Sequence, residues 1–298
     1  MVKVGLILPL FSGDAERVLS FATRAEELGF DGVFAYDHLF PPGGDPSRPV
    51  LEAFAMLGAV SSLTNRVAVG TLVARAGLHD AGLLAKLAVT LDQVSGGRTI
   101  LAVGAGDAGN DLEHETFGFP TPDQAERRAH LKETVRCVRA LFQGRAWPGG
   151  SHVPAMAGPL LPPARDGLPI WVAGSSNHVV RLAAHEANAW NGWQMDPDAF
   201  AAKARLLREE AGERSVEATW GGVALVGRDE ADAAELREAR QRRGLIARAW
   251  TGTADALRAR IGELEDAGAS WVVLALAGPK DRLDLVGSQV LPRVRTGS

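Results

Sequence analysis

Residues 2–40 have the sequence VKVGLILPLFSGDAERVLSFATRAEELGFDGVFAYDHLF, in which a strand, a helix and a second strand follow one another. The apolar run 2–9, closed by Pro9, predicts a buried strand. Residues 14–28 then place apolar side chains at helical spacing, and Gly29 supplies a typical C-cap. Because a helix between two strands carries the chain back to the same edge, this stretch predicts one unit of a parallel sheet.

The same alternation of strand and helix continues through the chain. Further strands are predicted at 32–36, 67–73, 99–104, 170–174, 189–192, 220–226 and 270–275. Helices are predicted at 51–62, 82–94, 123–142, 177–186, 197–211, 230–242 and 254–267, followed by an amphipathic segment at 282–294. About eight such units fit a (β/α)8 TIM barrel better than an open doubly wound sheet. We therefore predict an α/β protein with one barrel domain over 1–298 and a Pro- and Gly-rich insertion at 144–168, after the fourth helix.

The composition excludes several classes of function. The 36 acidic and 32 basic residues give a formal charge of −4, which leaves no positive surplus for nucleic-acid phosphates. The sequence has no apolar run of membrane-spanning length and no secretion signal, so no membrane partner is expected. A single cysteine, Cys137, excludes an intrachain disulfide and a cysteine-based zinc site and predicts a reducing, cytoplasmic location.

Polar residues follow the predicted strands at the end where a barrel carries its chemistry. Asp37 and His38 follow the second strand, and a histidine beside a carboxylate can be oriented and can exchange a proton near neutral pH. The alternative is a turn pair that satisfies backbone groups. After the strand at 170–174, residues 174–177 (GSSN) lead into a helix, whose free N–H groups can bind an anion. Simple N-capping of that helix is the alternative.

Residues 104–109 (GAGDAG) match the G-x-G-x-x-G dinucleotide fingerprint letter for letter. The fingerprint requires a helix to open at its last glycine, whereas Gly118, Pro120 and Pro122 interrupt the segment that follows. We interpret these residues as a tight glycine turn that lets a large planar ligand approach the backbone.

Several stretches together resemble the bacterial luciferase-like superfamily of flavin- and deazaflavin-dependent oxidoreductases. The matching segments are 25–40 (AEELGFDGVFAYDHLF), 63–73 (LTNRVAVGTLV), 85–106 (AKLAVTLDQVSGGRTILAVGAG) and 169–176 (PIWVAGSS). The order TLDQVSGGR followed by the GAG turn is specific for this group. The resemblance implies a TIM barrel, a tricyclic ring cofactor at the C-terminal mouth, and a homodimer.

The resemblance also implies roles for individual residues. Asp37 contacts the ring or the substrate, and His38 is a candidate acid or base. Asp107 stands where several deazaflavin relatives carry a glutamate proton donor, although capping of a turn is an equal alternative. The cofactor is expected to contact the end of the third strand, where a non-proline cis peptide is predicted near Leu72–Val73, the glycine turn and the phosphate-binding loop: Thr71, Leu72, Val73, Gly104, Ala105, Gly106, Gly174, Ser175, Ser176 and Asn177.

Other mouth residues are assigned to the substrate or to structure. Phe11, Phe40, Arg75 and Trp193 are expected to contact substrate, with Arg75 the candidate for an anionic group. No metal site is predicted, since His114 and its acidic neighbours are expected to form a solvated lid. Residues 237–243 (REARQRR) are expected to be a solvated helix face, with contact to an anionic tail as the alternative.

The leading functional hypothesis is hydride transfer between coenzyme F420 and a small organic substrate, with His38 or Asp107 providing the proton. F420 has carbon where a flavin has N5, so it passes hydride and does not normally activate O₂. The alternative cofactor is FMN, in a monooxygenase that receives reduced flavin from a partner reductase. A non-catalytic flavin-binding protein is a weaker alternative, as is a cofactor-free barrel isomerase or aldolase.

Overall fold

The computed structural model describes residues 1–41, 47–106, 111–242 and 249–296. Its strands are β1 (Lys3–Ile7), β2 (Gly32–Ala35), β3 (Ala68–Thr71), β4 (Ala74–Arg75), β5 (Thr99–Gly104), β6 (Ile170–Ala173), β7 (Ala189–Trp193), β8 (Glu217–Gly227), β9 (Trp250–Thr253) and β10 (Ala269–Leu276). Its α-helices are α1 (Ala15–Leu28), α2 (Ala53–Leu63), α3 (Ala81–Ser95), α4 (Asp111–Phe117), α5 (Gln124–Phe142), α6 (Asn177–Glu186), α7 (Pro197–Ala211), α8 (Glu230–Arg242), α9 (Ala254–Asp266), α10 (Arg282–Gln289) and α11 (Leu291–Thr296).

The strands form a closed parallel ring in the order β1, β2, β3, β5, β6, β7, β8, β10. Strand β10 closes the ring because it pairs with both β1 and β8, in registers such as Leu6 opposite Leu274 and Trp220 opposite Val272. Short β4 extends the line of β3 along β5, and β9 pairs with the far end of β8. The predicted (β/α)8 barrel is therefore confirmed.

Local sequence signals explain where several helices begin and end. Asp14 accepts the backbone N–H of Arg17 at the start of α1, and Gly29 ends that helix with a φ of 90°. Asp123 and Glu126 exchange hydrogen bonds between side chain and backbone at the start of α5, which is a complete capping box. The helices lie on the outside of the ring, where their apolar faces pack against the strands.

Aromatic side chains fill the interior of the barrel. Phe34 stacks on Trp171 with ring centroids 5.5 Å apart and meets the edge of Trp271 at 5.7 Å. A Cβ atom on Gly5 would lie 2.8 Å from the Phe34 ring, so glycine makes room for it. Trp171 and Trp271 lie in the first half of their strands. These rings thus fill the interior of the barrel, and space for a ligand remains at the C-terminal end of the strands.

The structure differs from the predicted elements in three places. The strand predicted over 67–73 is divided into β3 and β4, and the Leu72–Val73 peptide between them is cis, as predicted. Helix α4 and strand β9 were not predicted. The insertion 144–168 contains no helix or strand, apart from a single bridge between Trp147 and Met156. Among the described residues, no helix is both long and apolar enough to cross a membrane.

Candidate active site

A cavity of about 1260 Å³ opens at the C-terminal ends of the barrel strands. The ends of β1, β2, β7, β8 and β10 contribute to its wall, and three of the predicted site residues, Phe11, His38 and Trp193, line it. The remaining barrel residues of this wall are mostly apolar: Ile7, Leu8, Tyr36, Val223, Ala275 and Leu276. A ligand with a large hydrophobic surface fits such a wall.

Four rings form the aromatic part of this wall. Phe11 stacks on Tyr36 with centroids 5.7 Å apart, and His38 meets both rings edge-on at 6.0 and 6.1 Å. Trp193 meets Tyr36 at 5.7 Å from the opposite side. The prediction missed Tyr36, although it is the only tyrosine and directly precedes Asp37. Burial raises the pKa of Tyr36 above its ordinary value, so its hydroxyl keeps its proton.

Glu113 of helix α4 lies beside the buried Nδ1 atom of His38, at ion-pair distance and without a hydrogen bond to it. The Nδ1 atom of His38 lies 3.5 Å from Oε1 of Glu113, and the same oxygen accepts the backbone N–H groups of Leu39 at 2.7 Å and Phe40 at 2.6 Å. A carboxylate at this place favours the tautomer with hydrogen on Nδ1. It leaves Nε2 available to the cavity that His38 lines.

Glu113 is ionised although it is only 4% exposed. Burial opposes its ionisation, but His38, the Phe40 N–H group and the Arg75 charge outweigh burial and lower the pKa of Glu113 to about 2. The solvated lid expected around His114 was therefore wrong for this side of α4, since His114 is also buried, at 9% exposure. The cause is a set of partners from distant parts of the chain, which compensates the carboxylate for its loss of water.

Arg75 and Asp37 lie behind the wall and do not line this cavity. Arg75 is 3% exposed, and its Nη1 atom lies 2.5 Å from Oε2 of Glu113. Its Nε and backbone N–H groups donate to the main-chain oxygen and the carboxylate of Asp37 at 2.7 and 2.8 Å. Asp37 also contacts Nε2 of His79 at 2.9 Å. Arg75 thus links two buried carboxylates, whereas the sequence suggested an open anion-binding group.

Val73, which lies with Leu72 between β3 and β4, packs against Gly104 at the end of β5, and we call this contact the seam. A Cβ atom on Gly104 would lie 2.6 Å from Cγ2 of Val73, so this position requires glycine. The Thr71 hydroxyl donates to the Ala102 carbonyl at 2.8 Å and accepts its N–H at 3.1 Å, which uses this hydroxyl within the sheet. Gly106 has a φ of 72°, as a tight turn requires. Asp107 lies outside the described residues, so its predicted role stays a prediction.

The predicted phosphate-binding loop lies at the end of β6, with Gly174 at a φ of 152°. The Ser176 hydroxyl caps α6 by accepting the N–H of Val179 at 3.3 Å. Lys203 donates to the amide oxygen of Asn177, which adds a positive charge beside the loop. Among the described residues, no acceptor faces the N–H groups of Asn177 and His178. Capping and anion binding are therefore compatible here.

The predicted residue Phe40 packs against Phe117 of α4, with centroids 5.6 Å apart, and does not line the cavity.

A comparison with known protein families shows which family the chain belongs to. Residues 3–277 match the model of the luciferase-like monooxygenase family. The chain belongs to the luciferase-like monooxygenase family. The resemblance seen in the sequence is thereby confirmed.

Proteins similar to this luciferase-like family member include both dehydrogenases and a monooxygenase. An F420-dependent glucose-6-phosphate dehydrogenase of Microbacterium testaceum is 32% identical over 58% of this chain and 51% of its own length. The chain thus spans about half the length of this curated relative.

Solved structures resemble the luciferase-like chain over nearly all of its length. An F420-dependent secondary alcohol dehydrogenase, solved with an F420–acetone adduct, superimposes with a TM-score of 0.86 at 21% identity, covering 99% of both chains. EDTA monooxygenase of Chelativorans sp. BNC1 superimposes with a TM-score of 0.81 at 16% identity, covering 99% of this chain and 94% of the other. At these identities, the likeness establishes the barrel fold alone.

The luciferase-like site fits a planar ring cofactor on three observations of its own residues. The cavity has room and an aromatic wall, Val73, Ala105 and Gly106 are partly exposed at the strand ends, and the first turn of α6 offers unpaired N–H groups. No group of three or more His, Cys, Asp or Glu side chains able to hold a metal occurs in the part of the chain that the structure describes. His38 is a titratable side chain within the aromatic wall itself.

Proposed function

We propose that this protein is an oxidoreductase that transfers hydride between coenzyme F420 and a small organic substrate. The observation that carries the proposal is His38, whose ring has an ionised carboxylate 3.5 Å from Nδ1 on one side and borders the aromatic cavity on the other. The relative from Microbacterium testaceum, named an F420-dependent dehydrogenase, supports the choice of cofactor. So does the similarity in fold to an F420-dependent alcohol dehydrogenase.

The residues proposed to hold F420 are the seam at Leu72–Val73, the turn Gly104–Gly106 and the loop Gly174–Asn177. In the seam and the turn, Val73, Ala105 and Gly106 are partly exposed and are proposed to contact the flat ring, and the loop offers N–H groups to its phosphate. When bound, F420 supplies the ring carbon that accepts or returns a hydride.

In the direction of alcohol oxidation, His38 takes the proton of the substrate hydroxyl as hydride leaves the carbon that bears it. The O–H bond breaks to give a proton on Nε2, the C–H bond breaks to give the hydride, and a carbonyl forms. In the reverse direction the same nitrogen returns the proton. Asp107 is the second candidate for this proton transfer.

An FMN-dependent monooxygenase is the alternative proposal. It is favoured by the similarity in fold to EDTA monooxygenase. In that case a separate reductase would supply reduced flavin, and the cavity would admit O₂ beside the substrate. A non-catalytic flavin-binding protein would bind the ring cofactor and exchange no electrons with any acceptor.

A cofactor titration distinguishes these functions. Purified apoprotein is titrated with F420 and with FMN, in both redox states, while protein and cofactor fluorescence are recorded. Tight binding of F420 with hydride exchange and no O₂ consumption supports the proposal. Preferential binding of reduced FMN with O₂ uptake would establish the monooxygenase, and binding without turnover of any donor would indicate the non-catalytic protein.

We also propose that the protein is a cytoplasmic homodimer acting on small molecules. The family resemblance and the exposed apolar side chains Leu83 and Leu161 support a second copy as partner. These two residues are close, because Lys86, one turn after Leu83, donates to the Leu161 carbonyl. Sedimentation equilibrium of the wild type and of Leu83→Glu measures the association, and a monomeric wild type would contradict it.

A further inference from the structure

The cavity extends beyond the aromatic wall into an arm bordered by α1 and by the loop between β10 and α10. Four basic residues line this arm, and we name them the cationic arm: Arg17 of α1, Arg48, Arg240 of α8 and Lys280. They come from four separate parts of the chain, so their meeting in one cavity is a product of the fold.

The charges around this cavity do not balance. Its lining holds six basic side chains and three acidic ones, Asp14, Glu16 and Asp284, although the whole chain carries a net charge of −4. Asp284 is engaged by Arg24, with Oδ1 2.6 Å from Nη2. Asp14 caps α1 through the Arg17 backbone N–H. Asp284 is therefore neutralised within the lining, while Asp14 and Glu16 keep their charges and are outnumbered by the four residues of the cationic arm.

Two of the six basic residues are also neutralised. Arg24 pairs with Asp284, and Arg282 pairs with Asp232 at 2.8 Å and Asp281 at 3.1 Å. Across residues 1–41, 47–106, 111–242 and 249–296, no carboxylate forms an ion pair with a member of the cationic arm. A cavity with unpaired cations on one side and aromatic rings on the other favours an amphipathic anion.

Arg240 connects the arm to the aromatic wall. Its Nε atom is buried and has no hydrogen-bond partner in the described part of the chain. The positive charge of Arg240 also acts on the Tyr36 hydroxyl. Burial raises the pKa of Tyr36, and the Arg240 charge opposes this rise. A buried donor without an acceptor is costly, and an anionic ligand at this place would supply the acceptor.

The cationic arm lies across the barrel from the loop proposed for the cofactor phosphate. That loop follows β6, whereas the arm surrounds the ends of β1 and β10. In the ring order, β1 and β6 are separated by three strands on either side. Phe11, Tyr36 and His38 follow β1 and β2, next to the arm, whereas Trp193 ends β7, next to β6. The arm and the phosphate loop therefore bind two different ligands or the two ends of one bound complex.

We infer that the substrate carries a carboxylate or phosphate group, which the cationic arm binds while the reacting carbon lies at His38. This inference rests on the proposed hydride transfer. The anionic group takes no part in the reaction itself: F420, when bound, would take up the hydride of the carbinol carbon, His38 would take the hydroxyl proton, and a keto acid or keto phosphate would be released. Arginine suits this role because its planar guanidinium binds carboxylate and phosphate in two-point contacts.

The direct test measures anion binding to the cofactor-free full-length protein by calorimetry. The probes are inorganic phosphate and acetate, and the variants are Arg17→Gln, Arg240→Gln and Lys280→Gln. We expect Arg240→Gln to weaken binding of either probe about tenfold, since one charged hydrogen bond is lost. Arg237→Gln is the matched control, because that arginine lies on the same helix as Arg240 but is exposed and does not line the cavity. Its anion affinity should equal that of the wild type.

The catalytic test uses donors that differ only in charge. Lactate against propan-2-ol compares a carboxylate with a methyl group beside the same secondary alcohol, and glycerol 3-phosphate against glycerol tests the phosphate. We expect the charged donor of at least one pair to reduce F420 with the lower KM, and Arg240→Gln to remove that preference. Arg240→Lys, which keeps the charge, should restore part of it and excludes a mere folding defect.

Three results would overturn the inference. They are no probe binding to the wild type, equal binding by all four variants, and a loss of F420 affinity in Arg17→Gln or Arg240→Gln, which would assign the arm to the cofactor. Failure of the proposed function looks different, because F420 itself would then not bind to the wild type. Thermal unfolding of each variant checks that the fold is intact.

Discussion

His38 is the residue whose removal should separate chemistry from binding. We expect His38→Ala to reduce kcat for F420 reduction by about a hundredfold or more, because proton transfer then depends on water. F420 affinity should change little, since the ring contacts are proposed at other residues. Stopped-flow reduction and a cofactor titration measure the two effects. His185→Ala, an exposed histidine on α6, is the control, and equal turnover in both variants would contradict the role of His38.

Glu113 should couple the stability of the protein to pH. Its pKa of about 2 lies below the ordinary 4.5, so the ionised carboxylate stabilises the folded state fully above pH 4.5, and this contribution is lost as the pH falls toward 2. At neutral pH we expect Glu113→Gln to lower the free energy of unfolding by about 3 kcal/mol, because Arg75 then keeps an unpaired buried charge.

Urea unfolding at neutral pH and near pH 3 tests this expectation. The difference between wild type and Glu113→Gln should shrink at the lower pH. Glu115→Gln, on the exposed side of the same helix, should match the wild type at both pH values. A difference independent of pH would show that the glutamine acts through packing alone.

The buried network also shows where inference from sequence ends at this scale. The pair Asp37–His38 could be recognised because it directly follows a strand. Glu113 could not, since the segment 111–115 is strongly charged and its burial depends on Arg75 and on the amides of residues 39 and 40, more than thirty positions away along the chain. Arg75 was misjudged for the same reason. Long-range pairing is invisible in local composition.

At the level of elements, the seam formed by Val73 and Gly104 should not tolerate an added methyl group. Gly104→Ala brings a Cβ atom within 2.6 Å of Val73, so we expect a loss of about 2 kcal/mol in the free energy of unfolding. Adding Val73→Ala removes the clashing methyl group, and the double variant should be more stable than the sum of the single effects predicts. Strict additivity in urea unfolding of the apoprotein would refute this explanation.

The first turn of α6 should show whether its cap also serves a ligand. Ser176→Ala and Asp123→Ala each remove the N-cap of a helix and should each lower the free energy of unfolding by about 1 kcal/mol. Only Ser176→Ala is expected to weaken F420 binding, by about threefold to tenfold, since the proposed phosphate loop leads into α6 and not into α5. Equal cofactor affinities in both variants would show that Ser176 serves only as the N-cap of α6.

Elements were predicted best where local signals mark both ends. The bounds of β5, α6, α7 and α8 agree with the predicted ranges, and the N-cap Ser176 of α6 and the first residue Pro197 of α7 are residue types that mark a helix start in sequence. Strand β9 escaped prediction because it is short and pairs only with the extension of β8. The cavity could be placed at the strand ends, but its cationic arm joins α1, α8 and the last loop, which no local pattern connects.

For the whole molecule, cofactor binding should appear as thermal stabilisation. Because F420 is proposed to bind only the folded barrel, a concentration about one hundred times its Kd should add about 2.7 kcal/mol and raise Tm by about 5 °C. Differential scanning fluorimetry with F420 and with FMN at matched concentrations makes the comparison. A larger shift with FMN would favour the monooxygenase.

The aromatic side chains that fill the barrel also determine how ligands enter and leave. With Phe34, Trp171 and Trp271 closing the interior below the mouth, the molecule resembles a well with one entrance rather than a tunnel. Two ligands that share one entrance must arrive and depart in sequence whenever one lies beneath the other. Steady-state kinetics should therefore show that the ligand lying deeper in the barrel binds first. An excess of the ligand nearer the entrance should bind before it, form an unproductive complex and slow turnover.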